Sequence, residues 1–452
     1  MDNLALEQFP AGSDVFSSDW LRSKNRKLQY ARRTPEQTDL YRVVFHHHEE
    51  LTQVWDDIYQ KQFGYFRKEV QTAFFKYLDC GILLNGCARA RCKKCHHSIL
   101  IALSCKQRGI CPSCDTKRML RFAEHLHENV LTQVPHRHLV MSIPKRIRPF
   151  FKFNRQLNSL LFDAAWESLK ALYREIDPEG KPGAALAIHS GNGMLEFNPH
   201  IHGMVTDGFF LPSGEFQECA LKQQALQELF QKKLLKSLQN KELINNTVVE
   251  QINSWQHSGF SAWLGPQILP ADTEARLFIS QYLNKAEVKL NKIEIITDET
   301  SLFNESLIRC RKDETNFKDY KPLDFLAQLS TFIPNKWEQT VRYLGWYASR
   351  TRGKRNKIAA EVDSSCEPNQ IEIIPEDEDS EYRKNKRKSW AQLIRKVYEV
   401  DPLVCPKCQN QMKIIAVIID PKEAKKISAH LGQKYRAPPR LQTISKNQQS
   451  LH

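Results

Sequence analysis

No apolar run in this chain of 452 residues approaches the roughly 20 residues needed to cross a bilayer, and hydropathy is low overall, which excludes the membrane as its solvent. A secretory leader is also missing: Met1-Asp2-Asn3-Leu4 opens without a basic region followed by an apolar stretch. The twelve cysteines are therefore expected as thiols in a reducing, cytoplasmic setting, where metal sites are the usual use for them. There is no internal repeat, and the length suggests two to four domains. Acidic residues are scarce in places. Residues 87–121 carry Arg89, Arg91, Lys93, Lys94, Lys106, Arg108, Lys117, Arg118 and Arg121 against Asp115 alone, and the chain as a whole has a net charge of +14. Such a balance fits a polyanionic partner, nucleic acid first, although a merely solvated basic surface would read the same way.

What is present is concentrated in two patterns. The first is Asn198-Pro199-His200-Ile201-His202-Gly203-Met204-Val205, which reads as a strand. Side chains alternate along a strand, so His200 and His202 share a face while Ile201 points into the opposite layer. Two imidazoles on one face suit a divalent ion with open positions, as metal-assisted chemistry on a phosphodiester requires. Ala184–Ser190 and Met194–Val205 flank Gly191-Asn192-Gly193, a strong hairpin signal. His189 on the partner strand is therefore the preferred third ligand, with Glu196 as the alternative because Pro199 blurs the register. Taken alone, a His-x-His pair is more often two ordinary histidines on a half-exposed strand.

The second pattern is Cys92-Lys93-Lys94-Cys95 and, fifteen residues on, Cys111-Pro112-Ser113-Cys114, the spacing of one structural Zn²⁺ site. Cys105 lies between the pairs and Cys87 just before them, and either could replace a ligand. The basic residues around this block make it a surface for phosphate contacts, or the block is simply a clip that steadies neighbouring helices. Cys405 and Cys408 form half a site whose partners would be Cys366, Cys310, a histidine or another chain. His46–His48 have no ligand at defined spacing and read as the approach to a helix.

Helical periodicity covers Glu49 to about Tyr77, Asn158–Ile176, Gln217–Leu238, Thr273 to about Lys285 with Asp272 as N-cap, Leu323–Phe332 and Trp390–Val400. Strands are expected over Arg137–Ile143, Gly259–Leu264, Val288–Ile296, Leu307–Arg311, Val341–Tyr347 and Lys413–Ile419. Six basic residues and no acidic one fall in 341–357, then nine acidic and no basic ones in 361–381, the mark of a linker. A nucleophile for phosphoryl chemistry could be tyrosine. Tyr282 follows the capped helix beside Lys285 and Lys289, though with Ala275, Phe278 and Ile279 it could equally complete an apolar stripe. Tyr343 and Tyr347 are the alternatives, or stacking residues for single-stranded bases.

In this order the motifs resemble the rolling-circle transposases of the HUH class, IS91 type, with an N-terminal zinc-binding segment. The resemblance rests on Cys92 to Arg118, Pro135-His136-Arg137-His138, Ser142-Ile143-Pro144-Lys145, the His200-Ile201-His202 strand, Arg342-Tyr343-Leu344-Gly345-Trp346-Tyr347 and Asp401-Pro402-Leu403-Val404-Cys405-Pro406-Lys407-Cys408. It implies an α+β, multidomain chain: an N-terminal helical and zinc-ribbon-like DNA-binding domain (1–122), a central antiparallel-sheet HUH nuclease domain with flanking helices (123–357), a linker (358–385) and a small C-terminal module (386–452). It further implies Mg²⁺ or Mn²⁺ at His200, His202 and His189, a 5′-phosphotyrosine on Tyr282, and DNA as partner, as single-stranded or hairpin element ends. Phe278 stands where the family's first tyrosine would be, so the chain resembles the single-tyrosine branch unless Tyr343 or Tyr347 takes part or two protomers cooperate in a homo-oligomer. Basic contacts are expected from Arg89, Arg91, Lys93, Lys94, Arg108, Lys117, Arg118, Lys285, Arg350 and Arg352. The competing readings are a zinc-ribbon DNA-binding protein without chemistry, and a metal-dependent phosphodiesterase that uses water.

Overall fold

Thr38 accepts a hydrogen bond from the backbone N–H of Tyr41 and so caps helix α1 (Asp39–Val54), which begins ten residues ahead of the expected Glu49 start. His46–His48 therefore lie inside the helix, and His48 is buried. A π-turn (Trp55–Tyr59) and a short helix lead to α2 (Lys68–Leu78). The apolar positions read from the periodicity pack together, Leu51, Trp55, Val70 and Phe74 fully, whereas Ile58 is exposed. The computed structural model describes residues 35–297, 306–363 and 404–433, with side chains to 357 in the second of these. The linker expected from residue 358 begins as helix, which runs on to Asp363; its remainder, the helix expected over 390–400 and Cys366 lie outside the described residues.

After α2 come strands β1 (Cys87–Cys92) and β2 (Ser98–Ala102) and then α3 (Pro112–Asn129), which starts with proline at its first position. The central sheet is built from β3 (His136–Ser142), β4 (Gly183–Gly191), β5 (Phe197–Thr206), β6 (Ser261–Ile268) and β10 (Val341–Gly345), in the order β10-β4-β5-β3-β6, with every neighbour antiparallel. Its side chains alternate in their surroundings. Leu139, Met141, Leu186, Ile188, Ile201 and Val205 face α4 (Asn158–Ile176) and α5 (Gln223–Asn240), where they are buried with Leu161, Phe162 and Phe230. Each such residue contributes about 1.5–3 kcal/mol on leaving water. Ala185, Ala187 and Met204 face the other way, against α3 and α6 (Thr273–Leu283), with Leu126, Ile279 and Leu283. The histidines of β3, β4 and β5 share this second face.

The helix expected from Gln217 starts at Gln223, because Phe216–Glu218 pairs with Gly208–Phe210 as a small hairpin that consumes its first residues. Strands β7 (Ile293–Thr297), β8 (Ser306–Arg311) and β9 (Phe317–Tyr320) form a separate antiparallel sheet, and α7 (Pro322–Ser330) packs with it and with α1. Helix α8 (Ser349–Asp363) follows β10. The apolar strand expected near 413–419 is β11 (Met412–Ile418), followed by α9 (Pro421–His430). It pairs antiparallel with β1 from Cys87↔Ile418 to Cys92↔Met412. The C-terminal module expected over 386–452 thus shares its sheet with the N-terminal segment, whose edge β11 completes.

Candidate active site and cysteine clusters

The β4–β5 register sets His189 directly opposite His200 and Ala187 opposite His202, so all three imidazoles emerge on the face covered by α6. One ligand atom from each of His189, His200 and His202 lies within 4.8 Å of the others. The remaining nitrogen of each ring is engaged. His189 Nε2 donates to the carbonyl of Leu283 at 3.1 Å and His200 Nδ1 to the carbonyl of Asn198 at 2.6 Å. A carbonyl can only accept, so these bonds leave the lone pair on Nδ1 of His189 and on Nε2 of His200. His202 Nδ1 sits 3.1 Å from His138 Nε2. Nδ1 of His189 and Nε2 of His202 are buried with no hydrogen-bond partner, a costly state for polar atoms unless an ion takes their lone pairs. Burial also lowers the pKa of all three, His189 and His202 well below the ordinary value and His200 to about 4. Neutral rings of this kind are what a metal requires, and the residues fit a divalent cation.

Helix α6 brings the phenol to this face. Asp272 accepts from the N–H of Ala275 at 2.9 Å and begins the helix; Arg276, Ile279, Ser280 and Leu283 are its buried positions. Tyr282, next to Leu283, stands at the flank of that stripe. Its ring centroid lies 4.9 Å from that of His202 and 5.8 Å from that of His189. Lys285 Nζ donates to the Tyr282 hydroxyl at 2.6 Å. Because the Leu283 carbonyl anchors His189, one helical end both presents the phenol and fixes an imidazole. Phe278 lies one turn back, 6.5 Å from the Tyr282 ring.

The other phenols are elsewhere. Tyr347 is fully buried at the far end of β4, against Gly183, with its hydroxyl on His136 Nε2 at 2.5 Å and Thr132 Oγ1 at 3.0 Å, and burial pushes it up to about 12. Tyr343 packs half-buried on Phe122 and His125. Glu196 is held by Asn192 and Lys318, away from the imidazoles. Beside His189 opens a small cleft of about 60 Å³ lined by Arg108, Arg118, Arg155, His189, Lys285 and Glu287. Arg108 donates to the carbonyls of Asn335 and Glu338, and Arg118 to that of Lys106. Lys117 and Arg89 are half-buried, Arg91, Lys93, Lys94 and Arg350 are exposed, and Arg352 is tied to the carbonyls of Tyr347 and Asn129.

The cysteines are divided. Cys92 and Cys95 do not meet Cys111 and Cys114; the latter pair joins Cys80 and Cys105, while the former joins Cys405 and Cys408. The reason is packing: Cys111 and Cys114, at the start of α3, belong to the core around α1 and α2, whereas Cys92 and Cys405 lie in a small core of their own. Cys80 Sγ is 3.7 Å from Cys111 Sγ, and Cys105 Sγ is 3.5 Å from Cys114 Sγ. Cys105 is thus a member, as the spacing allowed, and Cys87 is not. Cys80 carries no spacing signal. His138 had one, since His136-Arg137-His138 is itself a His-x-His strand. Glu287, which accepts the N–H of Ser190 at 2.9 Å, had none.

Residues 50–143 match the family described as "Transposase zinc-binding domain", and residues 183–355 match the one described as "Putative transposase". The chain belongs to the IS91-type transposases. Among curated relatives it is 23% identical to the "Transposase for insertion sequence element IS801" of Pseudomonas savastanoi pv. phaseolicola, over 77% of this chain and 84% of that protein. It is 22% identical to "Putative transposase y4qJ" of Sinorhizobium fredii, over 73% of this chain and 84% of that one. No solved structure matches it. The first matched segment contains the whole Cys80, Cys105, Cys111, Cys114 cluster, and the second contains β4, β5, α6 and β10 of this IS91-type chain. Among the described residues no helix is long and apolar enough to cross a membrane.

Proposed function

We propose that this IS91-type chain is a DNA transposase that cuts and rejoins single strands through a covalent bond to Tyr282, in the manner of the HUH class. The single observation that carries the reading is the convergence of the Tyr282 phenol, from the end of α6, on the imidazoles of His189, His200 and His202. The family match and the basic composition support DNA as the substrate.

A divalent cation, Mg²⁺ or Mn²⁺, held by the three imidazoles would supply Lewis-acid polarisation of a non-bridging oxygen of the scissile phosphate. Tyr282 Oη attacks phosphorus in line; the P–O3′ bond breaks, its electron pair and a proton give the 3′-hydroxyl, and the 5′-phosphate stays on the phenol. Lys285 compensates negative charge on the attacking oxygen, and in the reverse step stabilises the same oxygen as it leaves. Because the energy of the phosphodiester is kept in the tyrosyl bond, a second 3′-hydroxyl can displace the phenol and complete transfer. Phe278 has no hydroxyl, so one phenol serves per chain. Arg108, Arg118 and Lys285 along the cleft would meet the backbone of a single-stranded or hairpin element end. Cys80, Cys105, Cys111 and Cys114 would hold structural zinc at the foot of α3, which packs along α6.

Incubation of the protein with Mn²⁺ and an element-end oligonucleotide should give a denaturation-resistant protein–DNA adduct. Tyr282→Phe should abolish it, while His200→Ala and His202→Ala should lose cleavage and keep binding. Cleavage that leaves no protein-linked product would instead assign the attack to water.

A further inference from the structure

We infer that Cys92, Cys95, Cys405 and Cys408 bind a second structural zinc ion, which closes one zinc ribbon from two ends of the chain. Cys405 and Cys408 fall outside both matched segments, 50–143 and 183–355. Cys92 Sγ lies 3.4 Å from Cys408 Sγ, Cys95 Sγ lies 3.4 Å from both Cys405 Sγ and Cys408 Sγ, and all four sulfurs are within 4.8 Å of one another. Zn–S bonds of about 2.3 Å in a tetrahedron place sulfurs about 3.8 Å apart, so the set needs little adjustment.

The two halves are built alike. In one, the N–H of Cys92 donates to the carbonyl of His97 at 2.8 Å; in the other, the N–H of Cys405 donates to the carbonyl of Asn410 at 2.8 Å. The residue after each second cysteine is left-handed, His96 at φ 58° and Gln409 at φ 58°. Neither is glycine, and a non-glycine residue pays about 1 kcal/mol for that conformation. The same unfavourable turn at the same offset from both cysteine pairs winds each short loop so that two thiolates face one point.

Packing supplies a second argument. One face of this sheet packs a core of Leu83, Cys87, Leu100, Ile418 and Ala424; on the cysteine side the core holds, among the described residues, only Ala90, Cys92, Ile99, Ile101, Cys405 and Met412, with Cys408 at its border. Ile415, Val417 and Ile419 of the β11 segment are exposed and add nothing to it. A sheet whose two cores are each this small gains from a staple, and Cys95 and Cys408, 313 positions apart, provide one across the sequence. Zinc displaces the thiol protons and leaves the sulfur oxidation state unchanged.

The test is zinc content of the full-length protein purified under reducing conditions, together with hydrogen exchange. The wild type should carry two zinc ions per chain, and Cys405→Ser/Cys408→Ser one. In that variant the amides of 412–418 should exchange at least a hundredfold faster while those of β4 and β5 keep their protection, which reports that the rest is folded. Cys408→His, which preserves a ligand, should restore both zinc and protection. A single zinc in the wild type that Cys405→Ser/Cys408→Ser retains, two in the double serine variant, unchanged protection of 412–418, or thiol counts showing these four as disulfides would each overturn the proposal. A single zinc in the wild type that the double serine variant loses would support it and assign the missing ion to the Cys80, Cys105, Cys111, Cys114 cluster.

Discussion

At the scale of single residues, the candidate centre depends on which nitrogen of each imidazole is occupied. Leu283 and Asn198 fix two rings by their carbonyls, while His202 depends on another side chain, His138. His138 is a positioning residue. Substitutions of such partners weaken metal affinity about 10–100-fold, so His138→Ala should raise the Mn²⁺ dissociation constant by that factor, read by titration calorimetry, while oligonucleotide binding without metal stays as it is. Lys285 touches the phenolic oxygen itself. Removal of one donor from a developing oxyanion costs about 10²–10³ in rate. Lys285→Ala should therefore slow single-turnover adduct formation by about that factor, with a smaller loss for Lys285→Arg; equal rates in wild type and alanine variant would remove Lys285 from the chemistry.

At the scale of elements, α6 does two tasks with one C-terminal turn. Its start depends on the Asp272 cap, worth about 1 kcal/mol. Asp272→Ala should lower the melting temperature by about 2–4 °C and, by loosening the helix that carries Tyr282 and Leu283, reduce adduct formation more than DNA binding. The Gly191-Asn192-Gly193 signal made the β4–β5 hairpin legible and put His189 on the partner strand, but a two-residue Asn192-Gly193 turn would have set Glu196 opposite His189. The connection instead runs on to Glu196, whose carbonyl accepts from the N–H of Asn192, with Leu195 left-handed at φ 58°. This longer loop, with a bulge between His189 and Gly191, brings His200 opposite His189. The same kind of reasoning failed for Gln217, where a polar stretch suited both a helix start and a hairpin strand. It also failed for His46–His48, since the cap that starts α1 lies eight residues upstream at Thr38.

For the whole molecule, a buried ion pair locks the sheet to its flanking segments. Arg155 grips Glu338 through Nε at 2.8 Å and Nη2 at 3.0 Å; Asn158 and the N–H of Asn335 also donate to that carboxylate, and Arg155 reaches the carbonyl of Thr331. Glu338→Ala would leave the guanidinium uncompensated and should destabilise the fold by about 3–5 kcal/mol in denaturant titration. Burial alone would raise the Glu338 carboxyl, but Arg155 overrides it and holds the group below its ordinary 4.5. A carboxyl depressed in the folded state stabilises above the unfolded pKa and loses that contribution as pH falls through the folded one. The stability gap between wild type and Glu338→Gln should therefore be full at about pH 6 and shrink below about pH 4; a gap constant across that range would contradict the assignment.

Sequence alone determined what is local: alternation on the β5 strand that puts His200 and His202 on one face, the hairpin signal that puts His189 on the neighbouring strand, the Asp272 cap, and each C-x2-C as a knuckle of paired thiols. Tertiary packing decided which pieces meet. A cysteine pair carries two sulfurs and no address, so the regular spacing between Cys95 and Cys111 suggested one site, whereas separate cores sent one pair to Cys80 and Cys105 and the other to Cys405 and Cys408. Likewise nothing in the residues around Tyr282, Tyr343 or Tyr347 ranks their distances from the histidines. That order is set by α6 lying across the end of β4 and β5 that bears the imidazoles, while Tyr347 fills the interior at the other end.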